Sequence, residues 1–167
     1  MEYIGIKWKR FSMLAFCGQD ACSIDANGRL KLSPEVIEDF MSADSGNVVM
    51  HCLPEGAIAL YPEHIYKEMR AQAHGELTRL GESLLQRRLL RRFGAMSENC
   101  RITGQGRVTI PPAFRDYAGL AAGGEARVIG IEVGVEIWSK ERWEAELAAM
   151  NEHLNERGQL ELAHDLV

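Results

Sequence analysis

Two arginines, Arg29 and Arg107, recur in one local setting, Gly28-Arg29-Leu30-Lys31-Leu32 and Gly106-Arg107-Val108-Thr109-Ile110. A guanidinium is a planar fork of N–H donors that can grip a carboxylate, a phosphate or the O6/N7 edge of guanine through two parallel hydrogen bonds. Alternation along a strand puts Arg29 and Lys31 on one face with Leu30 and Leu32 on the other, and sets Arg107 and Thr109 against Val108 and Ile110. Asn27 and Gln105 add amides on the preceding turns, suited to base edges or phosphates. A two-stranded β ribbon carrying such groups fits the major groove of a duplex. The plainer reading of a strand arginine is a surface or ion-pairing residue.

Bond-making chemistry has little support. His51 and Cys52 are adjacent, and neighbours on a strand point to opposite faces, so they cannot form a nucleophile and base pair there. His64, His74, His153 and His164 are scattered, and the glycine-rich turns lack phosphate-loop spacing. Cys17, Cys22, Cys52 and Cys100 form no CxxC pair, which argues against zinc and for reduced thiols in a cytosol. We therefore expect no catalytic residue, no metal, no cofactor and no small-molecule substrate. No apolar run approaches the roughly 18 to 20 residues that cross a bilayer, so no membrane role is expected. The basic residues Lys7, Lys9 and Arg10 before a short apolar stretch are read as a strand lead-in rather than a signal peptide, because bulky Phe16 precedes Cys17.

The elements that must position these side chains come from an internal repeat. A shift of 78 lays Cys22 on Cys100, Ile24 on Ile102, Gly28 on Gly106, Arg29 on Arg107, Leu32 on Ile110 and Pro34 on Pro112. A shift of 77 lays Tyr61 on Trp138 and Tyr66 on Trp143. Each unit reads as strand, glycine turn, strand, short helix, two strands and a helix. Asn27-Gly28 is a strong hairpin signal, and Pro34 and Pro111-Pro112 start helices. Further strands are expected at Val48–Cys52 and Ala126–Ile131, and Ser139 is placed to cap a helix with a stripe of Trp143, Leu147, Met150 and Leu154. The paired aromatics are read as core anchors. Between the units, a helical segment from about Pro62 to Phe93 is expected to break near Gly75 and Gly81. Four short strands per unit, twice, suggest two antiparallel layers completing one barrel by pseudo-twofold pairing.

The chain of 167 residues has 24 acidic and 19 basic side chains and a pI of about 5.6, which excludes a uniformly basic nucleic-acid coat. The charge is uneven: residues 1–66 hold five basic and nine acidic groups, 67–107 nine and four, and 108–167 five and eleven. Within the basic island, Arg87, Arg88, Arg91 and Arg92 cover one helical arc, with Leu85, Leu89 and Phe93 opposite. This arc is read as a second basic surface, or as arginines meeting the acidic C-terminal helix of the same or a neighbouring subunit.

Phe16-Cys17-Gly18, then Ile24-Asp25-Ala26-Asn27-Gly28-Arg29-Leu30, then the run from Arg87 to Ala95, then the run from Gly106 to Leu120 together resemble the MraZ family, over about residues 16 to 150. The resemblance implies an α+β fold: two tandem hairpin/helix repeats forming a swapped-hairpin, AbrB-like β-barrel with flanking helices. It divides the chain into an N-terminal extension (1–15), a first repeat (16–66), an arginine-rich linking segment (67–97), a second repeat (98–156) and a tail (157–167). It implies two D-x-x-x-R motifs per chain. Asp25 and Arg29 match the first, whereas Thr103 stands where the second would have Asp, four residues before Arg107. Asp25, Gly28, Thr103 and Gly106 are then the motif's support. The function implied is a cytoplasmic, nucleoid-associated transcriptional regulator of the division and cell-wall gene cluster, a homo-oligomeric ring on repeated promoter boxes of double-stranded DNA. Thr103, the acidic first helix and the negative balance leave open a ring-forming interaction module that has lost DNA binding, or an AbrB-type antitoxin.

Overall fold

The computed structural model describes residues 15–77 and 83–165. The basic segment before Phe16 and the expected break near Gly81 lie outside them; Gly75 does not interrupt its helix. In chain order the elements are β1 (Gln19–Ser23), β2 (Arg29–Lys31), α1 (Pro34–Asp44), β3 (Asn47–Cys52), β4 (Ile58–Pro62), α2 (Glu63–Leu77), α3 (Leu84–Ala95), β5 (Ser97–Arg101), β6 (Arg107–Thr109), α4 (Pro112–Ala118), β7 (Glu125–Gly130), β8 (Val135–Trp138) and α5 (Lys140–Asp165).

Local chemistry sets several of these boundaries. Pro34 and Pro112 open α1 and α4, where a missing N–H costs nothing and a fixed φ suits the first turn. Gly119 ends α4 in the left-handed region, its N–H donating to carbonyls of the last turn. Ser83 and Gln86 form a reciprocal capping box at the start of α3. The Ser139 hydroxyl accepts from the Arg142 N–H at 3.2 Å and so caps α5 as expected.

Six strands form one antiparallel sheet in the order β1-β7-β8-β4-β3-β5, while β2 and β6 pair only with each other. The order reads as a palindrome about β8/β4, and the registers carry the repeat's offset: Cys22 faces Ala126 where Cys100 faces Val48. The Leu32 N–H donates to the Gly106 carbonyl, and 78 residues on the Ile110 N–H donates to that of Gly28. The ladders do not close a barrel. Edge strands β1 and β5 do not pair with each other, and β2 and β6, which follow the turns, use their hydrogen bonds on one another. Just past the end of β1, an isolated bridge pairs Ile24 with Leu30 of the ribbon. The fold is thus a mixed α+β arrangement with an open sheet and a separate two-stranded ribbon, and with five helices among the described residues.

One apolar core joins the two layers. Leu30 and Val108 from the ribbon, Phe40 and Phe114 from α1 and α4, and Ile58 and Ile137 from the sheet are buried together. Burial of each such side chain contributes about 1.5–3 kcal/mol, which holds the ribbon to the body where hydrogen bonding does not. Tyr61 and Trp138 are buried at the strand-to-helix junctions and pack on Tyr66 and Trp143 at 6.0 and 5.8 Å, as core anchors.

Candidate nucleic-acid interface

The ribbon's register decides which side chains meet. Arg29 lies opposite Thr109, Leu30 opposite Val108, and Lys31 opposite Arg107. Residues directly opposite in an antiparallel pair share a face. Leu30 and Val108 fill the inner face with no exposed surface, so Arg29, Lys31, Arg107 and Thr109 share the outer one. Three cations, two from the first repeat and one from the second, are thereby gathered on the outer rungs of one short β ladder.

The turns supporting this face are alike in backbone and unlike in side chains. In the first, the Asp25 N–H donates to the Arg29 carbonyl and the Gly28 N–H to that of Asp25; in the second, Thr103, Arg107 and Gly106 repeat both bonds. One Asp25 oxygen accepts from the N–H groups of Asn27 and Arg29 at 2.8 and 3.0 Å, and the other accepts from Arg29 Nε at 2.8 Å. The Arg29 N–H, chief among these donors, holds the Asp25 carboxyl below its ordinary value of 3.8; desolvation opposes the shift, and the guanidinium and Asn27 N–H reinforce it. Arg29 is ion-paired yet keeps 41% of its side chain exposed. In the second turn, Thr103 Oγ1 accepts only the Arg107 N–H, at 3.1 Å, and the Arg107 guanidinium reaches the Gln105 side chain at 3.4 Å. Lys31 Nζ crosses to the Gln105 carbonyl and ties the first strand to the second turn. Asn27, Gln105 and Thr109 are exposed.

Gly28 and Gly106 both have positive φ, +78° and +76°, and each is closely backed. The backing differs. A Cβ on Gly28 would lie 2.8 Å from Arg115 Cζ, whereas one on Gly106 would lie 2.0 Å from Ile37 Cδ1. Arg115, whose Nε donates to the Ile110 carbonyl at 3.1 Å, is a cation beside the first turn that the sequence reading missed. The available signal was the repeat itself, which puts Arg115 where the first unit has Ile37.

The arginine helix lies on another element and divides. Arg87, Arg88 and Arg91 are exposed on α3. Arg92 leaves the arc: its Nη2 donates to Tyr117 Oη at 3.2 Å and approaches the Cys52 carbonyl at 3.5 Å, because the last turn of α3 packs on the body. There Phe93 stacks on His51 at 5.4 Å, beneath the Arg70 guanidinium at 4.0 Å. His51 bonds to Ser97 Oγ at 2.7 Å, and burial, then Arg92 and Arg70, lower its pKa. Burial pushes the thiols of Cys22 and Cys100 up to about 11 and about 12, which leaves them poor nucleophiles. Among the described residues no cluster of ligands could hold a metal, and no helix is long and apolar enough to cross a membrane.

The family model "MraZ protein, putative antitoxin-like" matches residues 95–161. A protein of Solidesulfovibrio magneticus named Transcriptional regulator MraZ is 34% identical over 146 residues, 83% of this chain and 91% of that protein. One of the same name from Lachnoclostridium phytofermentans is 30% identical over 147 residues, 86% and 97% of the two chains. Another from Shewanella frigidimarina is 25% identical over 134 residues, 79% and 84%. Identity of 30–34% with relatives that cover 83–86% of this chain and 91–97% of their own length means that the chain belongs to the MraZ family of transcriptional regulators.

Proposed function

We propose that the β2–β6 ribbon is the DNA-reading element of a sequence-specific transcriptional regulator, working in the cytoplasm on the nucleoid as a homo-oligomeric ring over repeated promoter boxes of a division and cell-wall gene cluster. The observation that carries this reading is the ribbon register, which sets Arg29, Lys31 and Arg107 on one outward face of an element whose inner face is buried. A stiff ribbon of this width enters a major groove, and a bidentate arginine on guanine contributes about 1–3 kcal/mol of discrimination. Arg29, oriented by Asp25, is the base-reading fork. Lys31 and Arg107 meet phosphates or neighbouring bases, with Asn27, Gln105 and Thr109 at the margin.

An acidic chain can bind a polyanion because the field at the contact is local, and several ribbons on one ring turn modest single contacts into avidity. The test is a titration of tandem upstream repeats against scrambled duplex across a salt series, with wild type, Arg29→Ala, Arg107→Ala and the double variant. Wild type should prefer the repeats, and each lost phosphate contact should lower the salt slope by about one. Equal binding by wild type and the double variant would overturn the reading.

A further inference from the structure

The β2–β6 ladder has two ends, each adjoining one glycine turn. The rung of Arg29 and Thr109 lies beside the first turn, and the rung of Lys31 and Arg107 lies beside the second. Under the 78-residue offset Lys31 corresponds to Thr109 and Ile37 to Arg115, so each repeat has a cation where the other has a neutral residue. The outer rungs alone would therefore give the second end two cations and the first end one.

Arg115 of α4 makes up the difference. A Cβ on Gly28 would lie 2.8 Å from Arg115 Cζ and 3.1 Å from its Nη2, and a Cβ on Gly106 would lie 3.8 Å from Lys31 Nζ. Each turn glycine is thus followed in sequence by an arginine and approached in space by a second cation from the opposite repeat, Arg115 at Gly28 and Lys31 at Gly106. The two ends of the ribbon are matched in charge although the two repeats are not matched in sequence.

The Arg115 side chain is held in place and only partly bonded. Its Nε donates to the Ile110 carbonyl at 3.1 Å, and the Ile110 N–H donates to the Gly28 carbonyl at 2.9 Å, which fixes the guanidinium against the turn. Arg115 is half-buried, yet among the described residues its Nη groups have no hydrogen-bond partner and it forms no ion pair. The acid of this turn, Asp25, is engaged by Arg29 and by two backbone N–H groups. A guanidinium anchored through Nε keeps its remaining N–H donors for an anion.

We infer that Arg115 is a phosphate-contacting residue of the DNA-binding face, doing at the first end of the ribbon what Lys31 does at the second. Phosphate contacts carry no sequence information directly; they fix the register in which base-reading groups meet the groove. A cation at each end holds the ribbon at both. The inference rests on the assignment of the ribbon to DNA, and it adds to that face a residue from outside both hairpins.

The test titrates the full chain with tandem upstream repeats and with scrambled duplex across a salt series, using Arg115→Gln and Arg115→Gln/Thr109→Lys, each checked for wild-type circular dichroism and melting. Arg115→Gln should weaken both duplexes alike, lower the salt slope by about one and leave the preference between them unchanged. Thr109 is exposed on the outer rung at the same end, so Thr109→Lys should return the lost slope. A wild-type slope in Arg115→Gln, or a loss that Thr109→Lys does not restore, counts against the contact. Should Arg115→Gln not fold, phenylglyoxal modification of the wild-type protein, read by peptide mass spectrometry, serves instead: saturating duplex should protect Arg115, and labelling unchanged by duplex overturns the inference. The Arg29→Ala/Arg107→Ala variant runs alongside. If it binds as wild type does, the functional reading fails; if it loses binding while Arg115→Gln keeps the wild-type slope, only the role of Arg115 fails.

Discussion

The two hairpin turns share a backbone and differ in chemistry. Each closes with the same pair of hydrogen bonds and a glycine near +77°, yet the first holds its arginine through a carboxylate at 2.8 Å and the second through an amide at 3.4 Å. The difference separates two jobs that a turn motif combines. Backbone geometry needs only an acceptor for one N–H, which Thr103 supplies as Asp25 does. Orienting a guanidinium needs charge and a second oxygen, which only Asp25 has. Behind the turns the contrast reverses, with a cation against the first and a hydrocarbon against the second.

The largest test of this comparison is in the shared inner face. Leu30→Ala should lower stability by about 2–5 kcal/mol and Val108→Ala by less, since fewer carbons leave an equally buried site; urea unfolding would read both, and equal losses would show that the two strands are not packed alike. Next come the glycines. Gly28→Ala and Gly106→Ala should each cost about 1–2 kcal/mol for the left-handed backbone, with a further loss at Gly106, because Arg115 can swing into water while Ile37 packs on the core. Thermal melts should rank Gly106→Ala lowest.

Smaller effects address the side-chain contrast directly. Thr103→Asp should give Arg107 the anchor Arg29 already has, and fixing one long side chain beforehand is worth about 0.5–1.5 kcal/mol. The preference for specific over scrambled duplex should rise about two- to tenfold, and no rise would mean that Arg107 is not a reading residue. Asp25→Asn should destabilise the protein at neutral pH and not in strong acid. Because the folded-state pKa of Asp25 is depressed, its contribution is fully present above the ordinary value of 3.8 and disappears as pH falls through the lower folded value. Unfolding curves of the two proteins should converge there.

Much of this is legible in the sequence. The glycine turns, the proline helix starts, the Ser139 cap and the paired aromatics are local signals, fixed by φ preferences and hydrogen bonding within a few residues. Strand alternation likewise separated Arg29 and Lys31 from Leu30, and Arg107 and Thr109 from Val108. The open sheet was not legible, because alternation says which face a strand buries and nothing of which strand it bonds. Nor was the inward turn of Arg92, since a helix wheel places side chains about an axis without showing what its last turn packs against. Arg115 escaped for the same reason: what it backs lies 87 residues away in the chain.

By itself the sequence determined two copies of one unit, each with an arginine raised on a strand after a glycine, because short-range periodicity and turn chemistry are written residue by residue. Only the tertiary structure decided that these arginines belong to a single surface. The register of β2 on β6 and the burial of Leu30 against Val108 are long-range choices, made by the area of apolar surface that the two halves can hide together and that neither can hide alone.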